Sequence, residues 1–419
     1  MTETTISTKN DTLWLLGVGA VFLLSLLSFS SYNAVLPAIQ AEWAMSNSQA
    51  GVVFSAYLVG YAASSLALIS ISDRVSTARL FMTGMGILTV GHLLFGLFAT
   101  NFWLGMLLRF MAGTGHVAVY IGGIQLVSRR FSGRRRGTAV GLFISSGYGG
   151  TTLSFVVMGF LLAQTGSWRS AYLVIVGLGI LAFLLAFLLI GWAPADPTLQ
   201  DVTTPPKRFD LSILKERAIL LLIIGYALHT AELYLARLWL PPLLTTTLQN
   251  SGMAELDATA RAATLSGFMF MLGIVGALSG GFISDRTGRT AGSALIFALS
   301  GLCSFIAGWL VGLPIGWLIT LGFIYGFATA ADTAIYSTAI TELAPPERLG
   351  STQAVQAFIG FTIGAVVPIA AGGILDVVDS AAGWGIAFGF NGLLAVIGII
   401  AMLSLRRLPQ AVKMAHGRR

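Results

Sequence analysis

The sequence predicts an all-α integral membrane protein of twelve transmembrane helices, arranged as two six-helix bundles related by pseudo-symmetry. Three observations predict it. Hydrophobic residues make up 56% of the chain and charged ones 10%, with a mean hydropathy of +0.84, against roughly 25% charged residues in a soluble domain. Apolar runs close to the ~20 residues needed to cross a bilayer recur along the whole chain. A loop signature also occurs twice, as Ile71-Ser72-Asp73-Arg74 and Ile283-Ser284-Asp285-Arg286. Such duplication marks a repeated bundle with its working site between the halves.

Taken in order, the apolar segments fall at 13–39, 49–72, 80–100, 102–127, 138–163 and 171–192, then at 218–240, 262–283, 291–311, 317–340, 352–372 and 385–405. Between the sixth and seventh lies a polar break with Pro194, Pro197, Pro205 and Pro206. Unpaired, proline-rich backbone of this kind cannot cross hydrocarbon, so it links two halves. The expected organisation is a first bundle over 1–192, a central cytoplasmic loop over 193–217, a second bundle over 218–405 and a basic cytoplasmic tail over 406–419.

Cations set the orientation. With the N-terminus placed inside, twenty of the 24 Lys and Arg residues fall on the inner side, two (Arg169 and Arg261) outside, and two (Arg109 and Arg237) within helices. By the positive-inside rule both termini are cytoplasmic, and the expected location is a bacterial inner membrane, crossed many times by a monomer in the lipid bilayer. Spread over short loops, these same cations explain the net charge of +7 without a nucleic-acid partner. The first apolar run is longer than a signal-peptide core and has no small-x-small site after it, so it is expected to stay as the first helix.

Enzyme chemistry has no foothold. There is no phosphate-cradling loop, no Cys/His cluster and no serine–histidine–acid arrangement, so no cofactor is called for and energy is expected from an ion gradient. The one cysteine, Cys303, lies in an apolar segment and reads as a small buried residue.

Four local features resemble the major facilitator superfamily, and the resemblance covers nearly the whole chain. The family's loop motif G-x-x-x-D-R/K-x-G-R-R/K is matched by Gly281, Asp285, Arg286, Gly288 and Arg289; the first copy keeps Asp73 and Arg74 but has Ile69 and Ser76 at the glycine positions. Arg109, Gly113 and Gly115 match the fourth helix's R-x-x-x-G-x-G, with Ala112 where a glutamine is common. Ser167-Trp168-Arg169 and Gly383-Trp384 resemble the family's short turns before helices six and twelve, their tryptophans read as interfacial anchors. Charged turns, Arg129–Gly137 and Glu342–Arg348, lead into the fifth and eleventh helices. The resemblance implies a secondary transporter working by alternating access. Physically, an Asp at such a helix end can pair with a neighbouring helix dipole and with loop arginines, forming a gate latch. One departure weakens a drug-exporter reading: Ser146-Gly147-Tyr148-Gly149-Gly150 lacks the Gly-Pro pair that proton-coupled exporters of the superfamily carry in the fifth helix.

Substrate must be read from polar residues at membrane depth, where each is costly. In the fourth segment Arg109, Gly113, His116 and Tyr120 step by 4, 3 and 4, forming one stripe. A cation, an imidazole and a phenol on one face suit an anion or proton path, although Arg109 could instead pin carbonyls of a neighbouring helix. His229 and Glu232 share a face of the seventh segment and are the expected proton-coupling pair, with Arg109 and Asp332. Tyr325, Thr329, Asp332 and Tyr336 form a second stripe in the tenth, where Asp332 could pair across the cavity with Arg109. Ser25, Ser28, Tyr32 and Asn33 in the first segment offer hydrogen bonds to a polar solute, while His92 reads as a packing residue. The expected activity is proton-coupled transport of a small organic anion such as a carboxylate. The alternatives are efflux of drugs or amphipathic cations, and a sensor or assembly subunit without flux.

Overall fold

The structure, a computed structural model, describes residues 7–71, 75–131, 134–191 and 211–418. Twelve helices are long and apolar enough to cross a membrane. We label them α1 (Asn10–Ser28), α2 (Asn47–Leu68), α3 (Thr77–Phe98), α4 (Phe102–Arg130), α5 (Arg135–Thr165), α6 (Trp168–Ile190), α7 (Arg217–Asn250), α8 (Glu255–Thr287), α9 (Arg289–Leu310), α10 (Ile315–Leu343), α11 (Pro346–Val377) and α12 (Ala381–Arg406). Among the described residues every regular element is helical. Of the polar break, residues 192–210 lie outside the described residues, as do Asp73 and Arg74 of the first loop motif.

The halves meet along two symmetry-related seams, α2 against α11 and α5 against α8. Small residues allow the close approach. A Cβ at Gly159 would collide with the Ala260 carbonyl on α8, and one at Gly51 would lie 3.0 Å from Pro368 O and Ile369 Cα on α11. Within the second half, Gly280 of α8 lies against the Ala331 carbonyl of α10 with no room for a side chain. Gly113 likewise admits the Tyr57 carbonyl of α2 against α4.

Helices differ from the sequence reading where backbone hydrogen bonding is interrupted. The first apolar run is not one helix: a 3₁₀ turn over Leu26–Ser28 is followed by short helices Ser31–Ala34 and Leu36–Trp43, the last with Pro37 in its first turn. Carbonyls near this break find side-chain partners, Leu27 O taking Ser31 Oγ at 2.9 Å and also Ser154 Oγ of α5. The seventh helix runs ten residues past its expected end at Leu240, straight through Pro241 and Pro242, to Asn250. Proline has no N–H, so the carbonyl four residues before Pro241 loses its helical donor. That carbonyl is Arg237 O, and it receives Asn33 Nδ2 at 3.2 Å from the broken first helix. α10 also breaks, at Asp332, between Ile315–Ala331 and Thr333–Leu343.

Both termini lie at the end of the bundle that holds the second loop motif. Asp11 pairs with Arg130 at the end of α4 at 2.8 Å, and Arg418 donates to Asp285 O at 2.6 Å. At the opposite end Trp168 is buried, not a lipid-facing anchor: its Nε1 donates to Glu42 Oε2 at 2.6 Å, beside the Arg169–Glu42 ion pair at 2.7 Å.

Candidate functional site

A cavity of about 250 Å³ lies between the halves. From the first half, α4 supplies His116 and Tyr120, α2 supplies Tyr57 and Tyr61, and the broken first helix supplies Phe22 and Phe29. Tyr148 and Thr151 come from α5. The second half contributes Tyr226, Tyr234 and Arg237 from α7, Thr333 and Ser337 from α10, and Phe361 from α11. Six of the chain's ten tyrosines therefore line one space. Among the described residues no aspartate, glutamate or lysine lines it, and Arg237 is its one arginine.

Arg237 is 7% exposed. Its Nη1 donates to Thr151 Oγ1 across the interface at 3.2 Å, its guanidinium lies 5.8 Å from the Phe270 ring centre, and its Nε has no hydrogen-bond partner. No carboxylate among the described residues forms an ion pair with it. Two further polar atoms of the lining, Tyr57 Oη and His116 Nδ1, are also buried without a partner. The His116 ring stands among Tyr61 at 5.2 Å, Tyr57 at 5.8 Å and Phe29 at 5.9 Å, centre to centre.

Arg109 does not line this space. It is fully buried behind the Tyr57 and Phe29 wall, donating through Nη1 to Phe29 O at 3.2 Å, with its guanidinium over the Tyr57 and Tyr32 rings at 4.6 and 5.2 Å. The pin reading of this arginine fits its geometry, and the expected pairing with Asp332 is not formed. Asp332 instead binds His229 Nδ1 at 2.6 Å, and His229 Nε2 meets Thr333 Oγ1 at 3.1 Å with its ring stacked on Tyr336. Asp332 and Thr333, which meet His229 of α7, sit at the break in α10.

Glu232 is separated from its expected partner His229. It is buried and accepts a hydrogen bond from Ser300 of α9 at 2.9 Å, while its Oε1 has none. A spacing of three residues puts two side chains on one face but leaves about 60° between them, enough here to send one to α10 and the other to α9.

Several other expected binding residues serve packing. Tyr325 donates to Ser304 at 3.2 Å and accepts from Asn391 at 3.0 Å, and Tyr336 meets Ser293 at 2.7 Å. Tyr32 donates to Ala50 O at 2.9 Å, and Asn33 satisfies Arg237 O. Ser28 is buried outside the lining. His92, read as packing, holds Tyr172 Oη at 2.7 Å, and Cys303 is buried.

Of the gating residues, Arg289 holds Asp285 and, at 2.9 Å, Glu342 of α10; it also donates to Ser284 at 2.8 Å. Gly288 takes φ 95°, a left-handed value that glycine tolerates. Arg286 covers the Phe282 ring at 3.9 Å, and Gly281 lies open apart from Ala334. The tail folds onto this loop through Ala415 N, which donates to Glu342 at 3.1 Å, and through Arg418.

The family model described as Major Facilitator Superfamily matches residues 18–361 and 222–418. The chain belongs to this superfamily. Among curated relatives it is 24% identical to the hexuronate transporter of Bacillus subtilis (strain 168), covering 92% of both chains. It is 28% identical to the 3-(3-hydroxy-phenyl)propionate transporter of Escherichia coli (strain K12), covering 78% of both. The crystal structure of the nucleoside transporter NupG superposes with a TM-score of 0.73 over 94% of this chain and 99% of that one, at 14% identity, which shows the superfamily fold alone. As a member of this superfamily the chain is a membrane transporter and not an enzyme.

His116 and Tyr120, one stripe in the sequence, both line the cavity, but most of its aromatic lining was not among the residues expected from the sequence. Tyr57 and Tyr61 are four residues apart on α2, and Phe22 and Phe29 seven apart on the first helix. Both spacings define a helix stripe, yet in a membrane protein an aromatic stripe looks the same whether it packs or lines a cavity.

Proposed function

We propose that this chain moves a small organic anion across a bacterial inner membrane by alternating access, as a monomer with both termini cytoplasmic. On this orientation the end of the bundle where Asp376 joins the halves through Asn47 and Ser48 faces outward. The carrying observation is Arg237, a cation buried in the cavity wall without an acidic partner. An uncompensated buried charge costs several kcal/mol, which an anionic solute would offset. The two curated relatives named above are called transporters of organic acids' anions, which supports the same class. Efflux of amphipathic cations fits less well, because no lining carboxylate would receive the positive charge.

Proton coupling is assigned to His229 and Asp332, with Glu232 as a second buried acid on α7. Thr333 lines the cavity and touches His229, so a proton could pass from cavity water through that hydroxyl to the imidazole and its carboxylate. Arg109 is assigned to holding the broken first helix.

Thermal unfolding of the detergent-purified protein at pH 5.5 and 8, against carboxylates, inorganic anions, sugars and lipophilic cations, tests the reading. A ligand at 100 times its Kd adds about 2.7 kcal/mol to the native state. Stabilisation by carboxylates that disappears in Arg237→Gln is expected, and stabilisation by lipophilic cations alone would overturn it. For coupling, Asp332→Asn should abolish acceleration of uptake by a proton gradient while sparing solute exchange; equal loss of both would contradict the assignment.

A further inference from the structure

We infer that the solute held on Arg237 is an aromatic monocarboxylate, a ring acid with one negative charge. This rests on the organic-anion reading above and narrows it. Charge comes first. Arg237 is the single arginine or lysine among the described lining residues, and Arg109, also buried, is walled off by Tyr57 and Phe29. One lining cation matches one carboxylate, and a second charge on the solute would be buried without a partner.

Shape and surface chemistry come next. The half containing α2 and α4 presents Phe22, His116 and Tyr61, while α7 and α11 present Tyr226, Tyr234 and Phe361. Tyr61 and Phe361 meet at 4.5 Å between ring centres, and Tyr234 stands 5.9 Å from Phe361, so rings from both halves close around the same space. Aromatic faces and edges favour a planar ring. About 150 Å³ of apolar cavity is enough to bind benzene, and the 250 Å³ here leaves room for a carboxylate and a short substituent.

A polyhydroxylated sugar acid needs several paired acceptors and donors. Among the described residues the lining has no asparagine, glutamine, aspartate or glutamate with which to supply them. Its polar groups are mainly the hydroxyls of tyrosine, threonine and serine, and three lining atoms, Arg237 Nε, Tyr57 Oη and His116 Nδ1, are buried and unpartnered. These suit one carboxylate and one further polar group on an otherwise apolar body.

Equilibrium binding of benzoate, hexanoate, glucuronate and benzyltrimethylammonium to the purified full-length protein tests the inference. Benzoate should bind at least about tenfold tighter than hexanoate or glucuronate, the worth of one or two ring pairs. Phe361→Leu, which keeps an apolar side chain in place, should shrink that margin several-fold. Hexanoate or glucuronate binding as tightly as benzoate would overturn the aromatic inference and leave the anion reading standing. Binding of benzyltrimethylammonium with no carboxylate binding would overturn both.

Discussion

The two ends of the interface between the halves are built differently. At the end away from the termini the halves are joined through backbone groups: Asn47 N and Ser48 N, at the start of α2, donate to the Asp376 carboxylate near the end of α11 at 2.6 and 2.9 Å. Ser55 Oγ donates to Ala365 O at 2.5 Å, and Asn33 donates to Arg237 O at 3.2 Å. At the terminus end, the ion pairs found among the described residues stay inside one half, Asp11 with Arg130 in the first and Arg289 with Asp285 and Glu342 in the second. The far end is closed by a carboxylate capping a helix start and by carbonyls that proline or helix geometry leaves available. The terminus end carries charge clusters that hold each half together.

This contrast can be broken most strongly at the far seam. Gly51→Leu would drive a branched side chain into Pro368 O and Ile369, 3.0 Å away. Overpacking of this kind costs about 1–3 kcal/mol, so the sealed population should fall at least about fivefold, read as longer distances between spin labels across the far end. Next, Asp376→Ala leaves the Asn47 and Ser48 N–H groups uncapped. The expected loss is about 1–2 kcal/mol of the sealed state, with the same lengthening of label distances and a smaller amplitude than Gly51→Leu.

At the terminus end the effect should change in kind. Arg289→Gln removes the donor shared by Asp285, Ser284 and Glu342 and should loosen the tail, raising proteolysis after Arg406 or Arg407 while far-end distances stay fixed. The smallest effect belongs to Asp11→Asn at the half-exposed pair with Arg130. Such pairs are worth about 0–1 kcal/mol, and added salt should erase the difference in melting temperature between this variant and the native chain.

Twelve helices and the pseudo-symmetry were legible because each depends on local apolar length and on a repeated loop. Helix continuity was not: the apolar segment ends at Leu240, whereas α7 runs on through Pro241 and Pro242, with Asn33, 204 residues earlier in the chain, donating to the carbonyl that Pro241 leaves free. The site was legible in part for the same reason. Periodicity found the His116 and Tyr120 stripe, which faces the cavity. It also put His229 with Glu232 and Asp332 with Arg109, whereas the fold pairs His229 with Asp332 across a helix break that no local pattern announces. Arg237 was visible as a cation inside a helix; its lack of an acidic partner is a property of tertiary packing.

The most direct measurement is uptake of radiolabelled benzoate, glucuronate and tetraphenylphosphonium into proteoliposomes bearing either the native chain or Arg237→Gln, under an imposed proton gradient. Saturable carboxylate uptake, cut at least about tenfold by Arg237→Gln in a variant that still melts cooperatively, is the predicted result. Carboxylate uptake unaffected by Arg237→Gln, or uptake of tetraphenylphosphonium alone, would contradict a transporter built around this buried cation.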